Sequence, residues 1–328
     1  MRRDGSAEIV CVTPNPAIDR TLQVPDLRPG AMMRATSSRV AAGGKGVNVA
    51  RALSALGAEA RCMGPLGGTS GRILAELAAA EGLTGAWTWC EVETRSCVIL
   101  VDSAARQAMV INEAGPQLLA MDWRRVCTDV LAQAAPALGV CLSGSLQPGV
   151  PTEGLAELCR SLVLSGQAPW VDSSGPALVA VLSVRGVRLK INREEAEEVL
   201  GLPLNSVAAC GAAARQLLGR GMTTVVLTLG AEGAVLAAAE GCWHAAAPPV
   251  ETASAVGSGD SFLAGLMAAL TSGRDLPEAL RWGVAAGTAN ALAEGGARFS
   301  RDQFDSVLAR VRCCAVPGPD LVFDDESR

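Results

Sequence analysis

From Gly139 onward the chain alternates between short apolar runs and helix-length segments, and few folds accept that order. The runs are Gly139-Val140-Cys141-Leu142, Pro169-Trp170-Val171-Asp172, Val187-Arg188-Leu189-Lys190 and Thr224-Val225-Val226-Leu227. Between them, residues 153–164 and 206–218 carry apolar side chains at helical spacing. A strand that is apolar on both faces must be covered on both. The alternation therefore predicts a parallel sheet with helices on either side. Glu8 to Val12 supplies an earlier strand, stopped by Thr13-Pro14-Asn15-Pro16.

Two early stretches break the pattern. Thr21–Val24 and Met33–Val40 flank the turn Leu27-Arg28-Pro29-Gly30, and Cys97–Val101 and Met109–Ile111 flank Asp102-Ser103. They read as hairpins projecting from the sheet as a small β-lid. The predicted organisation is a single domain over 1–328, with lid strands at about 17–40 and 95–112 inserted into the core. Residues 317–328 are expected to form a frayed acidic tail.

Composition narrows the function classes. Hydrophobic residues make up 49% and charged residues 19% of the 328, enough for a large core and too little charge for disorder. A formal net charge of −5 argues against a nucleic-acid partner. No apolar run approaches the roughly 20 residues of a membrane span. The 11 cysteines contain no C-x-x-C pair and are accompanied by one histidine, His244, so a zinc site of ordinary spacing is not expected. The odd count, without a signal-peptide pattern, predicts reduced thiols and a cytoplasmic location.

In an open parallel sheet ligands gather where strands end and helices begin, so the glycine-rich joins carry the functional reading. Gly257-Ser258-Gly259-Asp260 opens a helix with consecutive backbone N–H groups that favour an anion. There Asp260 either caps the helix or deprotonates a hydroxyl attacking a phosphoryl group. Gly43-Gly44-Lys45-Gly46-Val47-Asn48 opens another helix. It is not a P-loop, and serves either close packing or the grip of a sugar and its phosphate. Asn192 and Glu195 form N-x-x-E at a helix start, which suits either a solvated helix end or Mg²⁺ held through water. Thr228-Leu229-Gly230-Ala231-Glu232-Gly233 reads as a turn over a nucleotide or as a hairpin with Val235-Leu236 pairing back. Ser143 ends a strand in a small polar loop. Asp19 either accepts sugar hydroxyls or is a surface charge, and Arg95 either meets a phosphate or is one.

The order of these segments carries more than any one of them. T-P-N-P-A-I-D, A-G-G-K-G-V-N-V-A-R-A-L, T-R-S, I-N-E-A-G-P, S-G-S-L-Q-P-G-V-P, D-S-S-G, K-I-N-R-E-E, L-T-L-G-A-E-G and V-G-S-G-D-S-F-L-A-G together resemble the ribokinase-like PfkB sugar kinases. Their phosphosugar branch is the nearest: 1-phosphofructokinase, tagatose-6-phosphate kinase and the minor 6-phosphofructokinase. The resemblance runs from about Glu8 to Val311. It implies a three-layer α/β/α fold, a β-lid that joins a homodimer, and ATP with Mg²⁺. Carried over by motif, Asp260 is the base, and Gly257, Ser258 and Gly259 form the anion hole. Asp19, Gly43, Gly44, Lys45, Asn48, Arg95 and Ser143 face the phosphosugar. Lys190, Asn192, Thr228, Gly230 and Gly233 face ATP, and Glu195 orders Mg²⁺ and its waters. The segment Gly283 to Asn290, with Gly287 and Asn290, walls the adenine site.

Departures fall at Ser258, where alanine is usual, at Ala255, in place of threonine or serine, and at Ile191 and Gln147, in place of proline. None alters the base. Ile111-Asn112-Glu113-Ala114-Gly115-Pro116 and the Lys45 loop resemble the fructose-1-phosphate and tagatose-6-phosphate enzymes. Val171–Gly175 and Trp282–Thr288 resemble the minor 6-phosphofructokinase. Fructose 1-phosphate is the favoured acceptor. A nicotinamide oxidoreductase would need G-x-G-x-x-G directly after the first strand, where Pro14-Asn15-Pro16 stands. A non-catalytic phosphosugar sensor should lack Asp260, Glu195 or the anion hole.

Overall fold

A computed structural model describes residues 8–102, 104, 107–293 and 295–317. The expected acidic tail beyond Pro317 lies outside the described residues. The chain opens with β1 (Ile9–Val12), β2 (Ala17–Val24), β3 (Ser37–Gly43), α1 (Lys45–Ala55), β4 (Ala60–Leu66), α2 (Gly68–Ala80) and β5 (Thr84–Trp89). β6 (Arg95–Asp102), β7 (Gln107–Asn112), α3 (Ala120–Ala134), β8 (Gly139–Ser143), α4 (Gly154–Leu164), β9 (Trp170–Asp172) and α5 (Gly175–Val181) follow. Next come β10 (Arg188–Asn192), α6 (Arg193–Leu200), α7 (Val207–Gly219), β11 (Thr224–Thr228), β12 (Ala234–Ala238) and β13 (Gly241–Ala246). The last elements are α8 (Ser258–Thr271), α9 (Leu276–Ala291), α10 (Arg301–Leu308) and β14 (Arg312–Ala315).

Ten strands form one sheet in the order β14-β13-β12-β11-β10-β9-β8-β1-β4-β5. From β5 to β11 every pairing is parallel, and from β11 to β14 every pairing is antiparallel. Successive side chains of a strand point to opposite faces, and β1 shows both. Ile9 and Cys11 join a core with α1, α2, α8, α9 and α10, while Val10 and Val12 join one with α3 to α7. The expected three-layer α/β/α architecture is the observed one.

One hairpin expectation changes in detail, and of the two readings open at Thr228–Gly233 the hairpin is the one observed. Met33–Thr36 is not strand; β3 begins at Ser37 and runs on to Gly43, pairing with β2 from Ala17 onward. Thr228–Gly233 is a hairpin turn, because β12 pairs back antiparallel on β11. Gly233 permits this (φ 94°), since a Cβ there would collide with the Ala245 carbonyl.

β3-β2-β6-β7 form a second sheet, with β3 running on to Gly43, past the end expected for the first lid segment. Its edge strand β7 is exposed along its whole length, Met109, Val110 and Ile111 included. None of the described helices is long and apolar enough to cross a membrane. All 11 cysteines are free thiols, eight of them buried.

Helix α8 is the element that positions the site. It is buried along most of its length and crosses α9 closely, because Gly265 brings its backbone to the Trp282 carbonyl, 2.5 Å from where a Cβ would lie. Phe262 packs on Gly283 from the other side. Its first turn is thereby fixed at the end of the sheet.

Candidate active site

The C-terminal ends of β1, β8, β9 and β10 converge with the N-termini of α1 and α8 on one side of the sheet. Gly44 caps α1 at φ 103°, and Gly257 caps α8 at φ 78°. At Gly257 a Cβ would come within 2.7 Å of the Ala297 nitrogen, so the turn at Gly296-Ala297 packs directly on the α8 N-terminus. Both caps leave first-turn amides without intrahelical acceptors, as an anion site requires.

Asp260 lies in the first turn of α8, only 6% exposed, and its Oδ2 accepts a hydrogen bond from Asn48 Nδ2 at 2.9 Å. Burial pushes its carboxyl above the ordinary value. Lys45 and Lys190 oppose that rise, Asp172 adds to it, and the Asn48 bond opposes it. A carboxylate poised upward in this way, 212 residues in sequence from its amide partner, is better suited to accept a proton than an ordinary one.

Beside it sits a charge cluster that the sequence reading did not assemble. Asp172, at the end of β9, is completely buried and takes the Lys45 ammonium on Oδ1 at 2.9 Å and the Lys190 ammonium on Oδ2 at 2.8 Å. Burial alone would raise the Asp172 carboxyl, but the two ammonium groups hold it below its ordinary value. Burial opposes the charge of Lys45 in turn, and Asp172 and Asp260 overcome it and raise its pKa. Asp172 thereby holds both ammonium groups beneath the α8 amides, beside Asp260. The Lys190 ammonium lies 2.8 Å from where a Gly259 Cβ would be, so glycine is what admits it.

On the other side of α8 lies a cavity of about 430 Å³ lined by Thr228, Gly230, Gly233, Ser258, Gly259 and Gly287, among others. Its walls are largely apolar, including Pro248, Pro249, Phe262 and Val284, and its size suits a nucleoside. Ala255 lines it too, where a hydroxyl would have offered a contact. Asn290 does not line this cavity. It is fully buried, its Nδ2 donates to the Val256 carbonyl and to Ser258 Oγ, and its Oδ1 accepts from the Arg298 nitrogen. Its work is to brace the α8 cap rather than to wall the base.

Asn192 and Glu195 form a reciprocal capping box at α6: Asn192 Oδ1 accepts from the Glu195 nitrogen, and Glu195 Oε2 accepts from the Asn192 nitrogen. The pair is a helix start first. The Glu195 charge still reaches Lys45. Among the described residues no three His, Cys, Asp or Glu side chains gather as a metal cage.

On the side of the second sheet, Asp19 of β2 packs on Gly43 so tightly that a Cβ there would collide with its carboxylate. Burial pushes the Asp19 carboxyl up to about 6 against the pull of Arg51 and Arg95, with Asp260 adding to the rise. Arg95 opens β6 and donates to the carbonyls of Glu113 and Asn15 at 2.5 and 3.0 Å. The side-chain oxygens of Ser143, Thr13 and Asn15 (Oδ1) and the Arg95 Nε are buried without a protein partner. Buried polar atoms normally have one, and a polyhydroxylated ligand would supply it. Asp19, Lys45 and Asn48 are thus each coupled to Asp260, and Arg95 to Asp19, which puts one polar neighbourhood on this side of α8.

Ionised Asp19 is an expense to the fold that a ligand could offset. With its folded pKa raised, ionisation destabilises progressively as pH climbs from about 4 through about 6. Asp19→Asn should therefore melt a few degrees higher than wild type at pH 8 and show no such gain at pH 4, while kcat/KM for the sugar falls. Melting curves at the two pH values, with steady-state kinetics, check both halves. A variant no more stable at pH 8 than at pH 4, relative to wild type, would refute it.

The comparisons with known proteins agree on one lineage. Residues 7–303 match the family described as pfkB family carbohydrate kinase. The chain is 37% identical over 269 residues to the 1-phosphofructokinase of Xanthomonas campestris pv. campestris, covering 81% of this chain and 85% of that protein. It is 32% identical over 303 residues to the ATP-dependent 6-phosphofructokinase isozyme 2 of Escherichia coli K12, covering 92% and 98%. The crystal structure of phosphofructokinase-2 from Escherichia coli in complex with potassium superimposes with a TM-score of 0.88 at 31% identity, covering 93% of this chain and 99% of that one.

Proposed function

The chain belongs to the pfkB family of carbohydrate kinases and is a sugar-phosphate kinase that uses ATP, and we propose that its acceptor is fructose 1-phosphate and its catalytic base Asp260. The observation that carries the assignment of the base is its place at the α8 N-terminus. There it faces the polar neighbourhood through Asn48 while the same turn lines the nucleoside-sized cavity through Ser258 and Gly259.

The chemistry follows from that arrangement. Asp260 takes the proton of the sugar 6-hydroxyl as its oxygen bonds to the γ-phosphorus, and the bond from that phosphorus to the β,γ-bridging oxygen breaks to release ADP. The amides of Gly257, Ser258 and Gly259 meet the charge on the migrating phosphoryl group. Lys190, held under those amides by Asp172, offsets charge on the donor phosphates. Asp19 accepts sugar hydroxyls, while Lys45, Asn48, Arg95 and Ser143 hold the rest of the phosphosugar. Thr228, Gly230, Gly233 and Gly287 surround the nucleoside. Bound Mg²⁺, ordered near Glu195 through water, would neutralise phosphate charge.

Fructose 1-phosphate is preferred for two local reasons. Ile111–Pro116 and the Lys45 loop carry the form of the fructose-1-phosphate and tagatose-6-phosphate enzymes, and Ile111–Pro116 is knitted to Asn15 and Arg95. Fructose 6-phosphate is the second reading, favoured by the Asp172-Ser173-Ser174-Gly175 segment. Part of the same proposal is a homodimer joined through the second sheet, where exposed Met109, Val110 and Ile111 would find cover, acting in the cytoplasm.

A coupled ADP-release assay with fructose 1-phosphate, fructose 6-phosphate, tagatose 6-phosphate, fructose and ribose tests the acceptor. The highest kcat/KM is expected with fructose 1-phosphate. A preference for any other sugar overturns that choice, and activity with unphosphorylated sugars alone would overturn the phosphosugar reading altogether.

A further inference from the structure

Arg51 lies on α1, one turn beyond Asn48, and only 8% of it is exposed. A buried arginine is costly unless its donors are engaged. Here they are. Its Nη1 donates to Asn48 Oδ1 at 2.6 Å and reaches the Gly296 carbonyl at 3.5 Å. Its Nη2 donates to the Ala42 carbonyl at 2.5 Å, and its Nε donates to Glu81 Oε2 at 2.5 Å. The other Glu81 oxygen, Oε1, takes Arg298 at 2.7 Å.

Each contact fixes a different wall of the site. Ala42 precedes Gly43, on which Asp19 packs. Gly296 belongs to the turn that seats Gly257 at the α8 cap. The Asn48 contact sets the direction of a carboxamide. With Oδ1 committed to a guanidinium, only Nδ2 is left to face Asp260, and it donates to Oδ2. An unanchored Asn48 could turn its oxygen toward the carboxylate and repel it.

We propose that Arg51 is a positioning residue: it orients the Asn48 carboxamide so that it donates to Asp260, and with the same guanidinium ties the sugar-side strand end to the turn that seats the α8 amides. The inference rests on Asp260 being the base. Asp260 is also faced by Lys45 on α1, Lys190 on β10, Asp172 on β9 and Asp19 on β2. Arg51 is distinguished from these by acting through Asn48.

The experiment compares Arg51→Lys, Asn48→Ala and the double variant by steady-state kinetics from pH 5 to 9. Arg51→Lys should lower kcat at least about tenfold, change KM for ATP less than about threefold, and move the acid limb of kcat to higher pH. In the Asn48→Ala background the same substitution should lower kcat no more than about threefold, the part due to its tie between Ala42 and Gly296, since the group it orients is gone. Losses that multiply in the double variant, or an unshifted acid limb with normal kcat, overturn the proposal. Should Arg51→Lys not fold, Glu81→Gln replaces it. About a threefold loss of kcat with the same limb shift is then expected, and unchanged values overturn the proposal equally. The base assignment fails separately, on Asp260→Asn, and leaves the coupling between Arg51 and Asn48 measurable.

Discussion

Replacing Asp260 by asparagine should lower kcat by at least about a hundredfold and leave the KM values for ATP and sugar within a few-fold. The substitution is nearly isosteric. The carbonyl oxygen of the new amide can still accept from Asn48, so the first turn of α8 keeps its place. What disappears is the proton acceptor. The wild-type acid limb in kcat, set by a carboxyl that burial raises above its ordinary value, should disappear with it. Stability should move the other way. A buried carboxyl with a raised folded pKa costs stability as pH rises from about 4 through that pKa. The variant should therefore melt no lower than wild type at pH 8. Near-normal turnover would remove Asp260 from the chemistry, and a collapse of both KM values would make it a binding residue.

How much of this was legible in the sequence follows from the physics of each segment. The parallel strands β8, β9, β10 and β11 announced themselves as apolar runs because both faces are buried. β4 and β5 gave no such signal. Ala60-Arg61-Cys62-Met63-Gly64-Pro65-Leu66 contains a glycine at φ 151° and a proline, both of which read as breaks, and Thr84–Trp89 carries a glycine and polar positions near the edge. α2 begins on Gly68 and Gly71 without a capping side chain.

In the site, glycine-rich joins were readable because amides need no particular side chain to bind an anion. Asp172 and Arg51 were missed because their importance lies in partners 18 to 127 and 3 to 245 residues away. A signal for each was nonetheless present. Asp172 is a lone charge closing the apolar run Pro169-Trp170-Val171, at a strand end where ligands gather. Arg51 interrupts the apolar stripe of α1 one turn after Asn48. Asn290 and the Asn192–Glu195 pair went the other way. Their amides and carboxylate are spent largely on helix ends, a use that position in a motif does not reveal.

Asp172 is the second position where a small change should have a large effect. Asp172→Asn removes one charge and leaves two ammonium groups, the buried Lys190 and the half-exposed Lys45, facing a neutral amide. Breaking a buried pair in this way typically costs about 3–5 kcal/mol, and kcat/KM for ATP should fall about a hundredfold as Lys190 leaves its place beneath the α8 amides. The pH dependence has a definite sign. The folded pKa of Asp172 is depressed, so its stabilisation is fully present above the unfolded carboxyl value, about 4, and is lost as pH falls through the folded value. Wild type and variant should therefore differ most in melting temperature at neutral pH and converge under acid. Charge imbalance and lost positioning separate in one further variant. Adding Lys45→Met to Asp172→Asn removes the surplus cation and should recover much of the melting temperature. Turnover with ATP should not return, because nothing then holds the Lys190 ammonium where the donor phosphates need it. Recovery of both would reduce Asp172 to a counter-ion, and recovery of neither would mean that its two lysines are not what its carboxylate stabilises.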